Sequence, residues 1–175
     1  MHRYSSEVDW DFVTLGVLVG MPAKPMTTEE VDQFLTCARV GRLGVALEDA
    51  LYIVPVGFVY AGGRIFFHTC SEGMKMEALR RNQNVCFEVD EALSDTTMYK
   101  SVIVFGTAEI IDDKEDMIPY LQKLIDKYRV PLLFDEYMKK PGRNRESEMK
   151  AVRICVVAPK KITGRKFVQE NSTTA

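Results

Sequence analysis

The densest run of side chains able to do chemistry is Phe67-His68-Thr69-Cys70-Ser71-Glu72-Gly73-Met74-Lys75. An apolar strand ending at Thr69 gives way there to polar residues where a helix begins. Hydroxyls at Thr69 and Ser71, the first helical amides and the cation of Lys75 together have the donors and charge to hold a phosphate. Read from the residues alone, the plainer account is an ordinary serine N-cap followed by a surface lysine, because serine caps are common. The chain carries neither Gly-x-x-x-x-Gly-Lys nor Gly-x-Gly-x-x-Gly, so this is not a standard nucleotide fingerprint.

Two further positions bear on chemistry. His68 is the one imidazole in the body of the chain, since His2 is terminal. Its titration range suits proton transfer, yet a lone histidine on a strand more often packs or hydrogen-bonds. With no second histidine, a two-histidine metal site is excluded, and Cys70 beside His68 has no third group to make a nucleophile pair. The second position is Val54-Pro55-Val56. Proline cannot donate to a ladder, so this point is an edge, a bulge or a place beside something other than a strand. A planar ligand there would meet the free amides and carbonyls of Val54 and Val56.

The elements that must position these groups follow from the pattern. Thr27-Thr28-Glu29-Glu30 is a capping box opening an amphipathic helix to about Ala38. Strands are expected from Val40 to Leu47, Leu51 to Tyr60 and Ile65 to Thr69, the last two joined by a glycine hairpin at Gly62-Gly63. Ser71 is the expected N-cap of a helix whose inner face is Met74, Ala78 and Leu79, ended by Asn82 and Asn84. Val85 to Asp90, Tyr99 to Ile111 and Ala151 to Ala158 read as strands, with Gly106 marking a bulge or a close approach. Asp112 and Asp113 cap a helix through about Tyr128, with Pro119 predicting a kink or a later start. Leu132 to Met138 reads as a further helical turn or two. Short hairpin connections exclude an all-parallel sheet. The expected fold is mainly β (α+β): a six-stranded antiparallel barrel with peripheral helices.

The bulk numbers narrow the class. At 175 residues with 46% hydrophobic content, one domain with a real core is expected. A net charge of -2, from 23 basic and 25 acidic residues, argues against nonspecific nucleic-acid binding. The basic groups Lys139-Lys140 with Arg143 and Arg145, and Lys160-Lys161 with Arg165-Lys166, read as solvated surface, although the second could face a ligand. Cys37, Cys86 and Cys155 lie among apolar residues and read as reduced core thiols; no Cys-x-x-Cys exists. No signal peptide and no apolar run long enough to span a bilayer are seen, so no membrane partner and a cytoplasmic setting are expected. Residues 1–25, with Trp10, Phe12, Gly20, Pro22 and Pro25, read as an N-terminal arm that packs on the body or on a second subunit, or as a disordered tail. Residues 26–166 form the folded body and residues 167–175 a tail.

Taken in order, several strings resemble the pyridoxamine-5'-phosphate-oxidase-like flavoprotein superfamily, in its 5-nitroimidazole-resistance branch. They are Val40-Gly41-Arg42-Leu43-Gly44, Val54-Pro55-Val56 through Tyr60, Phe67 to Lys75 with Glu77 to Asn82, Val85 to Val89, Tyr99 to Gly106, and Ile162-Thr163-Gly164-Arg165. The resemblance implies a split β-barrel forming a two-fold homodimer, with FMN in each of two interface clefts; FAD would be accepted at its first phosphate. It implies ring contacts at Val54, Pro55 and Val56, and phosphate contacts near Phe67, His68, Thr69, Cys70, Met74 and Lys75. Ser101 and Val102 would approach from the partner chain. The implied activity is electron transfer from NAD(P)H through FMN to a small acceptor such as a nitroaromatic, with His68 as the catalytic proton donor or a simple contact. Two departures stand out: Cys70 replaces a small residue or serine, and Met74 replaces a common arginine. The substrate-phosphate arginine cluster needed by an oxidase of pyridoxamine phosphate is not found. The alternatives are a flavin- or haem-binding module without turnover, in which His68 would be the axial ligand, and a structural dimer with an empty cleft.

Overall fold

The computed structural model describes residues 23–95 and 97–168. The tryptophan-bearing part of the expected arm and the end of the expected tail lie outside the described residues. Thirteen elements follow one another: β1 (Lys24–Pro25), α1 (Thr28–Cys37), β2 (Val40–Leu47), β3 (Ala50–Gly57), β4 (Val59–Ala61), β5 (Arg64–Cys70), α2 (Met74–Arg81), β6 (Asn84–Ala92), β7 (Met98–Ile111), α3 (Lys114–Lys127), α4 (Phe134–Tyr137), α5 (Arg145–Ala151) and β8 (Val152–Val168). All strand pairings are antiparallel, in the order β3-β2-β6-β7-β8-β5-β4, with β1 on β8.

The two ends of that order, β3 and β4, are neighbours in the chain, joined by Phe58 alone. A sheet whose first and last strands are one residue apart must curl on itself, so the sheet is a barrel. Its interior is packed by Leu43, Phe58, Ile65, Phe67, Phe87, Val102 and Val104, all fully buried. Phe87 anchors this core, edge-on to Phe58 at 5.1 Å and stacked on Phe67 at 6.3 Å. A second core lies outside the barrel, where Phe66, Ile154 and Val156 meet Met117, Leu124 and Ile125 of α3, with Phe134 and Met149.

Most expected elements form, and the differences have local causes. The capping box at Thr27 and Glu30 closes in both directions. Gly62 and Gly63 take φ of 59° and 71°, as the β4–β5 hairpin demands. Gly106 sits at a register shift, where a Cβ would stand 2.5 Å from the Ala158 carbonyl oxygen. The six strands become eight. The stretch expected as one strand from Leu51 to Tyr60 breaks at Phe58, whose N–H donates to the Arg39 carbonyl at 3.2 Å and so leaves the sheet. Lys24 and Pro25 pair with Lys166 and Arg165 as the short β1. The last strand runs on to Val168 because Pro159 falls opposite Gly106 at the bulge, where a missing N–H costs little. Helix α3 runs from Asp113 through Pro119 without interruption. Residues 145–151, where no helix is expected, form α5 with Asn144 as N-cap, so the last strand starts at Val152 rather than Ala151. Cys37 is exposed and Cys86 half-buried, so of the three expected core thiols Cys155 alone is buried; burial pushes its pKa up to about 12.

Candidate functional site

β4 covers β5 only from Arg64 to Phe66. Continued through Phe58, that register would lay Gly57, Val56 and Pro55 against His68, Thr69 and Cys70. Those pairs do not form: β3 pairs with β2 alone, and Phe67 to Cys70 pair with β8 alone. The barrel is therefore split. One lip is the free edge of β3, the other the free edge of β5 beyond Phe66, and the two strands still approach one another. Pro55 explains one lip, since a proline removes a donor that an inner strand would need. Val54 is half-buried, Val56 buried and Pro55 exposed on the outer side.

The start of α2 follows directly on the β5 lip, and here the expected cap is corrected. Ser71 is not the N-cap. Its N–H donates to the Ala151 carbonyl at 2.8 Å, prolonging the β5–β8 ladder, and its carbonyl accepts from Arg80 at 2.9 Å. The N-cap is Gly73, whose φ of 107° makes the sharp turn into the helix that a side chain would resist. This shift rotates the inner face: Met76, Ala78 and Leu79 are buried, while Met74, expected inside, is 53% exposed. Lys75 is half-buried and makes no ion pair or hydrogen bond among the described residues.

The side chains of β5 divide between the two cores. Phe67 and Thr69 face the barrel, Thr69 as the one buried polar residue among those described. His68 and Cys70 face the other way and are exposed. The imidazole keeps an open edge, yet crowding by its neighbours first and the Lys75 charge second hold its pKa below the ordinary 6.5. The Lys75 charge is also felt at the Cys155 thiol, which faces the barrel. Thus Phe67, His68, Thr69, Cys70, Met74 and Lys75 gather at one end of the split, with Val54, Pro55 and Val56 on its far lip.

Ser101 and Val102 do not join them. His68 lies in register with Ile154, and Ile154 with Ile111, ten residues along β7 from Ser101. That is roughly 30 Å of extended strand. No group of three or more metal-ligating side chains, and no helix long and apolar enough to cross a membrane, occurs among the described residues. A pocket of about 420 Å³ lies elsewhere, around Glu109, Asp112, Asp113 and Tyr120.

Sequence reasoning missed Arg153, directly across the β5–β8 ladder from Thr69. The only hint was a charged residue in an otherwise apolar strand, and its neighbour could not be known without the register.

The fold is thus a split antiparallel barrel, open between β3 and β5, rather than a closed one. The chain matches the family model described as pyridoxamine 5'-phosphate oxidase over residues 27–166, and it belongs to that family. An uncharacterized protein, RA0666, of Rhizobium meliloti (strain 1021) is 29% identical over 86 residues, which is 49% of this chain and 56% of that protein. The chain thus spans little more than half the length of this curated relative. Among solved structures, a FAD-binding protein from Mesorhizobium loti has a TM-score of 0.63 at 23% identity, covering 83% of this chain and 99% of that one. A Bacteroides thetaiotaomicron protein assigned to 5-nitroimidazole antibiotic resistance has a TM-score of 0.61 at 22% identity, covering 85% and 89%. At these identities the likeness is one of fold.

Proposed function

We propose that this protein is an FMN-dependent oxidoreductase, holding its flavin in the split between β3 and β5 with the phosphate at Lys75. The observation that carries this reading is the charge of Lys75, half-buried with no ion pair among the described residues, which acts on His68 and Cys155 at the end of two free strand edges. A half-buried cation without a partner is costly, and an anionic ligand offsets that cost. The free edge of β3 along Val54, Pro55 and Val56 suits the polar rim of a flat ring. FAD fits the same first-phosphate contact, and the Mesorhizobium loti protein of like fold binds FAD. When bound, the flavin would supply the redox chemistry, receiving hydride from NADH or NADPH and passing electrons to a small acceptor such as a nitroaromatic. His68, exposed at the site and biased toward the neutral imidazole, would serve as a proton carrier or ring contact.

The reading includes a homodimer. Ile53, Gly44, Cys86 and Phe105 fall in one row across four strands on the outer face, and Ile53 and Phe105 are 66% and 47% exposed. With Leu51 at 86%, this is an apolar strip suited to a second copy. A two-fold partner would bring its Ser101 strand to a split that its own chain cannot reach.

The test is to purify the protein, record its visible spectrum and molar mass in solution, then release the ligand by heat and weigh it. A yellow dimer yielding FMN or FAD is expected, with Lys75→Ala losing flavin affinity by about 1–3 kcal/mol. A colourless monomer that takes up no flavin, or a Soret band in place of the flavin peaks, overturns the reading.

A further inference from the structure

Arg153 is half-buried on β8, and its Cα partner across the ladder is Thr69. Directly opposed residues of an antiparallel pair sit about 5 Å apart and point to the same face. Here that face is the barrel side, since the next residues on each strand with the same parity, Phe67 and Cys155, are both in the barrel core. Arg153 therefore stands across from the buried residue Thr69 at the end of the split. Lys75 reaches the same end from α2, its charge acting on Cys155, two residues along β8.

The guanidinium is anchored from behind. Nη1 donates to the carbonyls of Lys150 and Val152, at 3.0 and 2.6 Å. Both acceptors are neutral, and no carboxylate pairs with Arg153 among the described residues. Nε and Nη2 have no acceptor among them. One edge of the fork is thus fixed by backbone and the other left for a ligand, the arrangement that makes arginine a selective partner of phosphate oxygens. A half-buried lysine and a half-buried arginine at one end of the split, neither paired with a carboxylate among the described residues, are better tolerated when something negative enters. A phosphate monoester carries between one and a half and two charges near neutrality, roughly, so one lysine alone leaves it under-neutralised.

We propose that Arg153 is the second cation of this anion site, binding the phosphate of the ligand together with Lys75 and Thr69. The inference deepens the flavin reading and rests on it for the identity of the phosphate carrier. It makes the site specific for the phosphorylated flavin over the bare one: a ring without phosphate would gain nothing from either cation.

The experiment titrates FMN and riboflavin into the flavin-free full chain, following fluorescence quenching, for wild type, Arg153→Gln, Arg153→Lys and Lys75→Gln. Expected is a wild-type preference for FMN that Arg153→Gln lowers by about tenfold to a hundredfold, with riboflavin affinity unchanged and Arg153→Lys between the two. The salt dependence of FMN binding should also become shallower in Arg153→Gln, which a mere folding defect acting on both ligands alike does not produce. If Arg153→Gln keeps the full preference while Lys75→Gln loses it, Arg153 lies outside the site and the flavin reading survives. If wild type takes up neither flavin, or takes up both equally, there is no phosphate site and the inference falls with it.

Discussion

The two ends of α2 carry cations in opposite circumstances. At its C-terminal end Arg81 donates to Glu48 on the β2–β3 turn and to Glu77 one helical turn back, both at 2.8 Å. Those carboxylates hold its pKa above the usual guanidinium value. At its N-terminal end Lys75 has no such partner, although it is the more buried of the two. The helix dipole sharpens the contrast, because a cation is favoured at the C-terminus and disfavoured at the N-terminus. Arg81 is where a helix wants a positive charge and is neutralised besides. Lys75 is where it does not, and is left bare. The first end completes a structure; the second is where the proposed ligand would bind.

The largest effect should come from removing what holds the two lips of the split in place. Phe87 is fully buried between Phe58, at the corner where β3 leaves the sheet, and Phe67 on the opposite lip. Phe87→Ala should lower unfolding free energy by about 3–5 kcal/mol in urea titration. It should weaken flavin binding as well, since both lips of the split rest on that ring. A variant of near-native stability would mean that the barrel core does not set the geometry of the split.

Next comes the contrast within α2. Lys75→Gln should cost flavin affinity while leaving the melting temperature level or slightly raised, because a disfavoured cation has gone. Arg81→Gln should do the reverse, leaving flavin affinity as in wild type and lowering the melting temperature slightly. Isothermal titration and thermal scans on the pair resolve the two outcomes. Equal losses of affinity would show that α2 acts through helix stability, and that the position of the charge is immaterial.

Much of this was legible in the chain because local chemistry decided it. The capping box at Thr27 and Glu30, the paired glycines of the hairpin and the bulge at Gly106 are each fixed by a few adjacent residues, and each formed where expected. Pro55 announced a free edge for the same reason. What could not be read depended on distant partners. Ser71 has every local mark of an N-cap, but Ala151, eighty residues on, captures its amide for the sheet and hands the turn to Gly73. Phe58 looked like the middle of a strand until the Arg39 carbonyl drew its N–H away. Arg153 shows no motif at all; its place beside Thr69 exists only in the register of β5 on β8. The gathering of His68, Thr69 and Lys75 was visible because they are close in sequence. The distance of Ser101 from them emerged only from ladder counting.

The smallest expected effect is the most direct probe of the unpaired charge. Lys75 contributes, after burial, to holding the His68 pKa below its ordinary value. In flavin-free protein, Lys75→Met should therefore move the His68 titration midpoint upward, read from the imidazole proton shifts by NMR. The sign follows from what is removed: without the nearby cation, the protonated ring is less opposed. A histidine whose folded pKa is depressed takes up its proton in the unfolded chain first, so stability from this group is complete above about pH 6.5 and declines as pH falls from there toward the folded value. In Lys75→Met that acid-side decline should shrink, since the gap between folded and unfolded values narrows. His68 is exposed enough for solvent to damp the effect, so the stability change will be slight and the NMR midpoint is the decisive measurement. A midpoint that stays put, or falls, would mean that Lys75 does not face His68 in solution. The cation would then be turned away from the end of the split, and the contrast between the two ends of α2 would lose its meaning.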